Sequence, residues 1–223
     1  MTMHAFLQSA DTFALRPAAN ASATHAFSDL GVSMSFAPEE EIYAQDEETD
    51  FVYQVQSGAV RASRLLSDGR RQIAGFYYPG DLFGLETGPV HRSAAEALED
   101  TKVFVARRSA LRHYGPAGER LERLIWQATG AELERAHEHM MLLGRKSALE
   151  KVAGFLATVA RRRRGVWSEL AMSRQDMADH LGLSIETVSR MVTQLQADNT
   201  ILFNGCRRFQ VLAPNRLAHL AAA

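Results

Sequence analysis

The stretch Ser173–Gln196 reads SRQDMADHLGLSIETVSRMVTQLQ, and it decides the fold of the C-terminal third of the chain. Ser173 with Asp176 three residues later is typical of a capping box, which begins a helix. Gly182 ends that helix, because glycine readily adopts the left-handed conformation that a tight turn needs. Ser184 then caps a second helix. Two helices joined by a short, glycine-containing turn form a helix-turn-helix.

The outer face predicted for the second helix has the chemistry of base recognition. Glu186, Ser189 and Arg190 lie at positions i, i+3 and i+4, so their side chains project together from its N-terminal half. Arginine can donate two hydrogen bonds to guanine, and glutamate can accept one from cytosine. A solvated face with a Glu–Arg pair is the alternative, but the turn spacing and both caps favour DNA reading. The flanking residues assigned to the same interface are Ser184, Ile185, Thr187 and Arg174.

A wing is predicted directly after this pair of helices. The apolar runs 201–203 and 209–212 surround Asn204-Gly205, a dipeptide typical of a tight β-hairpin turn. Arg207 and Arg208 stand at the predicted tip. There they would contact DNA phosphates, which contributes affinity but no choice of sequence.

Two further units are predicted upstream. Over residues 31–115, short apolar runs alternate with turn signals such as Asp68-Gly69, which is the pattern of an antiparallel β unit. The apolar spacing then changes to 3.6 residues and predicts a long helix over 116–143. A long helix between two compact units favours a seam between two copies of the chain, and packing on its own domain is the alternative. The residues assigned to the seam are Leu121, Leu124, Ala128, Ala131 and Leu142.

Composition and charge set the broad class of protein. The 223 residues, 46% hydrophobic and 23% charged, are ordinary for a globular chain of two domains. Residues 144–223 carry 12 Lys and Arg against 6 Asp and Glu, whereas residues 1–143 carry 13 against 20. A basic C-terminal unit on an acidic remainder is typical of a DNA-binding domain joined to a separate partner domain.

The N-terminal residues predict neither a signal peptide nor a membrane anchor. Residues 1–30 are rich in Ala, Ser and Thr and lack an apolar core behind basic residues, so we expect a flexible lead-in. No run approaches the roughly 18 apolar residues that span a bilayer. We therefore expect a cytoplasmic protein with no membrane partner.

The cysteine count limits the redox and metal chemistry. Cys206 stands alone, so one chain can form neither an internal disulfide nor a cluster held by four thiolates. No catalytic triad, metal-ligand cluster or phosphate-binding glycine loop is apparent, and we expect no enzyme activity, no metal and no resident cofactor. Cys206 is nevertheless a candidate redox-sensitive thiol, because the adjacent Arg207 and Arg208 favour the thiolate. A thiol that stays reduced is the alternative.

Five stretches of the chain resemble the CRP/FNR superfamily of bacterial transcription regulators. The resemblance covers nearly the whole chain, and the pattern E-x-x-S-R of Glu186, Ser189 and Arg190 is similar to the FNR and FixK branch. It implies an α+β fold: an antiparallel, cyclic-nucleotide-binding-like β-roll, a long dimerisation helix and a winged helix-turn-helix. It also implies a homodimer on a palindromic operator of the type TTGAT-N4-ATCAA, with RNA polymerase as a partner. The stretches are FVYQVQSGAVR (51–61), LLSDGRRQIAGF (65–76), YPGDLFGLE (78–86), GRKSALEKVAGFL (144–156) and ADHLGLSIETVSRMVTQL (178–195).

Departures from the superfamily narrow the expected role. FNR-type sensors hold an iron–sulfur cluster with cysteines that lie mostly near the N-terminus, and this chain has no cysteine before Cys206. FNR-like reading without the cluster resembles the FixK-type regulators, which act downstream of a separate oxygen-responsive system. The resemblance thus implies an activator of microaerobic, anaerobic, nitrogen-oxide or nitrogen-fixation genes.

A second departure lies in the segment where the cyclic-AMP-binding branch holds its ligand. That branch has G-E-L-G followed by R-S-A, whereas the segment 80–84 reads GDLFG, with a shorter acid and an additional residue, and RSA is kept at 92–94. The open alternative is a regulator whose β-roll binds a cyclic nucleotide or haem, with scattered histidines as haem ligands. The candidate vestigial ligand cassette is Gly80, Asp81, Gly84, Arg92 and Ser93.

Overall fold

The N-terminal unit is a pair of antiparallel four-stranded sheets. The computed structural model describes residues 31–109, 115–145, 147–162 and 166–222, so the expected lead-in over 1–30 lies outside the described residues. One sheet has the order β1-β8-β3-β6 and the other β2-β7-β4-β5. The strands are β1 (Val32–Phe36), β2 (Glu41–Tyr43), β3 (Phe51–Ser57), β4 (Val60–Leu65), β5 (Arg71–Tyr77), β6 (Leu82–Phe83), β7 (Ala94–Ala97) and β8 (Thr101–Arg107).

Aromatic side chains fill the space between the two sheets. The ring of Tyr53 on β3 lies 5.1 Å from those of Tyr43 and Phe83, measured between centroids. Tyr77, on the facing sheet, stacks on Phe83 at 5.4 Å. Such offset contacts between large buried rings dominate the packing energy of a small core.

The long helix α1 (Gly115–Arg145) packs its first half on the roll of its own subunit. Leu121 is fully buried against Val52, Leu82 and Ala106, and Ala128 packs on the same cluster. At the other end of α1, Leu142 packs on the core of the C-terminal unit. Leu121 therefore offers no surface to a second copy, whereas Ala128 and Leu142 are only half-buried, and the seam expected from the sequence stays a prediction.

A different stripe of α1 is exposed. Trp126, Leu133 and Met140 are 73%, 59% and 60% exposed, and they follow one another at intervals of seven residues. Of the other two residues assigned to the seam, Leu124 is half-buried and Ala131 is exposed. An apolar heptad stripe is the pattern of a coiled-coil seam.

The C-terminal unit is a winged helix-turn-helix. Leu156, Met177, Leu181 and Leu195 are fully buried in its core. Its small sheet has the order β10-β11-β9, and the sequence did not lead us to expect its last helix, which begins at Pro214. The elements are α2 (Ala148–Arg162), β9 (Ser168–Glu169), α3 (Arg174–Leu181), α4 (Ile185–Ala197), β10 (Ile201–Asn204), β11 (Arg208–Val211) and α5 (Pro214–Ala222).

The α+β architecture predicted from the sequence is confirmed: a β-roll, a long helix and a winged helix-turn-helix follow one another along the chain. Among the described residues, no helix combines the length and apolar character needed to cross a membrane.

Candidate nucleic-acid interface

The turn between α3 and α4 is built by the caps that the sequence predicts. The Ser173 hydroxyl accepts a hydrogen bond from the Asp176 amide at 3.1 Å, and the Asp176 carboxylate accepts one from the Ser173 amide at 2.9 Å. Gly182 closes α3 in the left-handed conformation, with φ at 63°. Ala178 is fully buried, which allows the two helices to approach closely.

The outer face of α4 is free to meet a DNA groove. Val188, Val192 and Leu195 bury its inner face, and Glu186, Ser189 and Arg190 are all exposed on the other. The residue types proposed to read bases therefore share one accessible surface at the N-terminal half of a helix, as a major-groove reader requires.

The start of α4 is capped by hydrogen bonds and favours an ionised acceptor. Ser184 accepts a hydrogen bond from the Thr187 amide at 3.2 Å, and the two hydroxyl groups lie 3.1 Å apart. The Glu186 backbone amide and the Ser184 side chain lower the pKa of Glu186 through hydrogen bonds, so its carboxylate is charged at neutral pH. Ile185 is 37% exposed beside it and can contact a thymine methyl group.

Aromatic rings hold two basic residues of the interface, Arg208 of the wing and Arg174 of α3. The Arg208 guanidinium lies 5.6 Å from the ring of Trp167, and that of Arg174 lies 4.5 Å from the ring of Phe203. Burial lowers the pKa of Arg174, although an arginine stays protonated at neutral pH. Stacking leaves the N–H donors at the edge of each guanidinium free for phosphate oxygens.

Two wing residues differ from these in their surroundings. Arg207 lines a polar cleft of about 220 Å³ together with Arg61, Arg71 and Asp176, and so lies close to the β-roll. Cys206 is exposed at the turn, as expected for a thiol that solvent oxidants can reach.

The acid of the candidate ligand cassette has partners within the protein. Asp81 accepts a hydrogen bond from the Tyr78 amide at 3.0 Å and pairs with Arg162 of α2 at 2.8 Å. Arg92 and Ser93 instead line a cavity of about 790 Å³ between β5, α1, α2 and α3. The acid of the cassette is therefore engaged within the protein by Arg162, which lines the same cavity as the Arg-Ser pair.

Glycine is required at two positions of this segment. Gly80 and Gly84 have φ angles of 93° and 67°, which side-chain-bearing residues rarely adopt. A Cβ atom on Gly84 would lie 2.7 Å from Cδ2 of Tyr53. Backbone conformation alone therefore explains the presence of glycine at both positions, without a bound ligand.

Of the four histidines considered as haem ligands, His91 and His139 make ring contacts within the protein, His137 is exposed on α1, and His113 lies outside the described residues. His91 is buried, stacks on Tyr43 at 3.7 Å and places Nδ1 3.2 Å from a carboxylate oxygen of Glu86. His139 stacks on His180 at 4.2 Å. The described part of the chain contains no group of three or more residues arranged to hold a metal ion.

Sequence reasoning missed the surface of α1 that is left uncovered. The signal was the seven-residue interval between Trp126, Leu133 and Met140, which the three- and four-residue spacing of the other apolar side chains obscured.

Known protein families match both units of the chain. The cyclic nucleotide-binding domain family matches residues 33–114, and the Crp-like helix-turn-helix domain family matches residues 150–220. The fold and the site thus define a DNA-binding transcription regulator with a cyclic-nucleotide-binding-like domain.

Individual relatives narrow this class. The nitrogen fixation regulation protein FixK of Azorhizobium caulinodans is 45% identical over 80% of this chain and 75% of its own length. FixK of Rhizobium meliloti is 42% identical over 83% of this chain and 85% of its own. The solved structure of FixK2 from Bradyrhizobium japonicum superposes with a TM-score of 0.82 at 47% identity, over 87% of this chain and 98% of that one. The chain belongs to the CRP/FNR family and is of the FixK type, as its motifs predict; these relatives are regulators rather than enzymes.

Proposed function

We propose that this protein binds a palindromic operator as a homodimer and activates genes of nitrogen fixation or of microaerobic and anaerobic metabolism. The observation that carries the proposal is the free outer face of α4, where Glu186, Ser189 and Arg190 are exposed together. The names of the relatives support the gene class, since they include FixK proteins and the transcriptional activatory protein AadR of Rhodopseudomonas palustris, which is 40% identical.

Operator reading divides between bases and phosphates. Arg190 is proposed to donate two hydrogen bonds to the guanine of a TTGAT half-site, and Glu186 and Ser189 to contact neighbouring bases. Arg174 and Arg208 are proposed to contact phosphates. Two equivalent α4 helices must enter successive major grooves, so the half-sites should lie about one helical turn apart.

A binding assay separates these roles. Arg190→Ala should cost about 1–3 kcal/mol, which is about 5- to 150-fold in affinity, and should remove the preference for guanine at one position. Arg208→Ala should weaken operator and random DNA alike. Arg120→Ala removes an equal charge from the exposed surface of α1 and serves as the control. Equal losses on operator and random duplexes for Arg190→Ala and Arg208→Ala would refute the assignment.

The exposed stripe of α1 is proposed as the dimer seam. Trp126, Leu133 and Met140 recur every seven residues, and Gly130 and His137 stand between them at the alternate position of the heptad. In a parallel pair of helices these residues would meet their symmetry mates.

Sedimentation at micromolar concentration tests the seam. Leu133→Glu should give a monomer, because two buried carboxylates would face each other across the axis. Ala131→Glu places the same charge two residues away, on an exposed side of α1 outside the stripe, and should leave the mass unchanged. A monomer with Ala131→Glu but not with Leu133→Glu would support the seam first expected from the sequence instead.

Activation is proposed to need no small ligand. The Asp81 carboxylate is already paired with Arg162, and Tyr77 of the roll already donates to Glu132 of α1 at 3.1 Å. Purified protein should therefore stimulate transcription by RNA polymerase from a promoter that carries the operator, with no cyclic nucleotide added. A strict requirement for cyclic AMP or cyclic GMP, or a haem absorption band, would favour the effector-dependent alternative.

A further inference from the structure

A partly buried cluster of opposite charges joins the β-roll to the first helix of the helix-turn-helix. On the roll, Nη2 of Arg71 lies 2.6 Å from Oδ1 of Asp176 and 2.8 Å from Oδ2 of Asp179. Nη1 of Arg61 lies 3.3 Å from the same oxygen of Asp176. Both arginines belong to the β4–β5 hairpin and both aspartates to α3, so every one of these bonds crosses between the two units. We call this set of four residues the interdomain clamp.

Residues of the roll fix the Arg61 side chain of the clamp independently of α3. Nη2 of Arg61 lies 2.6 Å from Glu39, and its Nε lies 2.7 Å from Glu96, both on the roll. The Arg61 side chain is only 7% exposed and that of Asp176 only 4%. Displacement of α3 would leave the buried carboxylate of Asp176 without both arginines, whereas Arg61 would keep Glu39 and Glu96, so Asp176 tolerates little misplacement.

Asp176 links the clamp to the helix-turn-helix itself. Its Oδ2 accepts hydrogen bonds from the amide and hydroxyl of Ser173, which cap α3, and its Oδ1 accepts from the two arginines. Burial alone would raise the pKa of Asp176, but the bonds from Ser173 and the charges of Arg61 and Arg71 more than offset this and lower it. One carboxylate thus fixes the start of α3 and its direction relative to the roll.

Contacts of two further residues restrict rotation about this point. Arg162, near the end of α2, pairs with Asp81 and lies 4.6 Å over the ring of Tyr78. A ring nitrogen of His180 on α3 lies 3.1 Å from the carbonyl oxygen of Ile73. Contacts at several points on two helices fix an orientation, whereas a single contact would act as a pivot.

We propose that Arg61 and Arg71 are positioning residues for DNA recognition, which hold the winged helix-turn-helix in its DNA-binding orientation without a ligand. The inference rests on the proposed function. It follows from the clamped arrangement itself, in which the reading face of α4 is exposed and nothing in the described part of the roll covers it. Apparent affinity falls with the fraction of molecules in the competent orientation, and a palindrome requires both units of a dimer to be oriented.

Neutral, near-isosteric substitutions test the clamp. Arg71→Gln and Asp179→Asn should each lower operator affinity by about three- to tenfold, and the double variant should be no weaker than the weaker single one. Asp179 is the better partner to change, because Asp176 also caps α3. Arg70→Gln is the control: Arg70 directly precedes Arg71, but among the described residues its ion pair is with Asp68 of the same turn, and its loss should leave affinity within about twofold.

The sign of the Asp179→Asn effect distinguishes the clamp from direct electrostatics. Removal of a negative charge from a DNA-binding unit should tighten binding if only the field at the DNA matters. The clamp predicts weaker binding instead. Unchanged or tighter operator binding by both Arg71→Gln and Asp179→Asn would overturn the proposal.

A measurement without DNA keeps this inference distinct from the proposed function. Cys206 is the one cysteine of the chain and is exposed, so nitroxide labels there report the distance between the two wings of a dimer. The distribution of distances should broaden in Arg71→Gln and Asp179→Asn and stay narrow in Arg70→Gln, while the unfolding midpoint of the C-terminal unit is retained. An unchanged distribution in both clamp variants overturns the proposal whether or not the operator is recognised.

Discussion

Acid should destabilise this protein through His180. The imidazole lies on α3 between Phe76, Phe155 and His139, with ring centroids 5.2, 5.6 and 4.2 Å away. Burial, reinforced by His139, lowers its pKa from 6.5 to about 4. The hydrogen bond with Ile73 opposes this shift but does not cancel it.

The sign and size of the effect follow from that pKa. Because the folded-state value is below the unfolded one, the unfolded chain takes up the proton first as the pH falls. Stability is therefore lost between about pH 6.5 and pH 4 and changes no further below that range. Between pH 7 and pH 5 the loss from His180 alone amounts to about 2 kcal/mol.

Urea unfolding at fixed protein concentration measures this difference. The free energy of unfolding should drop between pH 7 and pH 5 by about 2 kcal/mol more in the wild type than in His180→Gln. His219→Gln removes an exposed histidine of α5 and should behave as the wild type. A residual dependence is expected in His180→Gln, since burial also lowers the pKa of His139. The same pH dependence in all three proteins would refute the reasoning.

Three further substitutions have expected outcomes. Gly84→Ala should cost about 2 kcal/mol or more in unfolding free energy, because of its positive φ and the 2.7 Å approach to Tyr53; a loss below 0.5 kcal/mol by urea unfolding would contradict this. Ala178→Leu should destabilise by about 1–3 kcal/mol, since the α3–α4 contact has no space for a larger side chain, and Ala221→Leu at the half-buried end of α5 should cost less. Cys206→Ser should bind operator as the wild type does under reducing conditions but resist inhibition by peroxide, and equal inhibition of both would leave the thiol without a regulatory role.

The helix-turn-helix could be predicted because its signals are local. Ser173, Asp176, Gly182 and Ser184 each act on residues within one helical turn, so the caps have the same meaning in any context. The outer face of α4 followed from helical spacing alone. Pro214 was a comparable signal for the start of α5, since proline is favoured in the first turn of a helix.

The surface of α1 could not be assigned in this way. The helix has apolar side chains on two sides, which include Leu121 and Leu133. Their spacing does not show which side is covered by the roll and which is left for another partner. Only the placement of the roll decides that Leu121 is buried within the subunit and that Leu133 is not.

The interdomain clamp could not be predicted from the sequence, because its residues are far apart along the chain. Arg61 and Asp176 are 115 positions apart in the chain, and neither lies in a pattern that indicates the other. Arg71 stands in an exposed-looking hairpin beside Arg70, and sequence alone does not distinguish an arginine that crosses to α3 from one that stays within its turn.

The two tryptophans of the chain stand where fluorescence can follow two different events. Trp126 belongs to the exposed stripe of α1, whereas Trp167 lies beneath Arg208 at the wing. Association of two subunits should shift the emission of Trp126 to shorter wavelength by removing it from water, while contact of the wing with phosphates should change the quenching of Trp167 by the guanidinium. Trp126→Phe and Trp167→Phe would each leave a single tryptophan as the reporter, so that operator binding and assembly could be timed separately by stopped-flow fluorescence of the two variants.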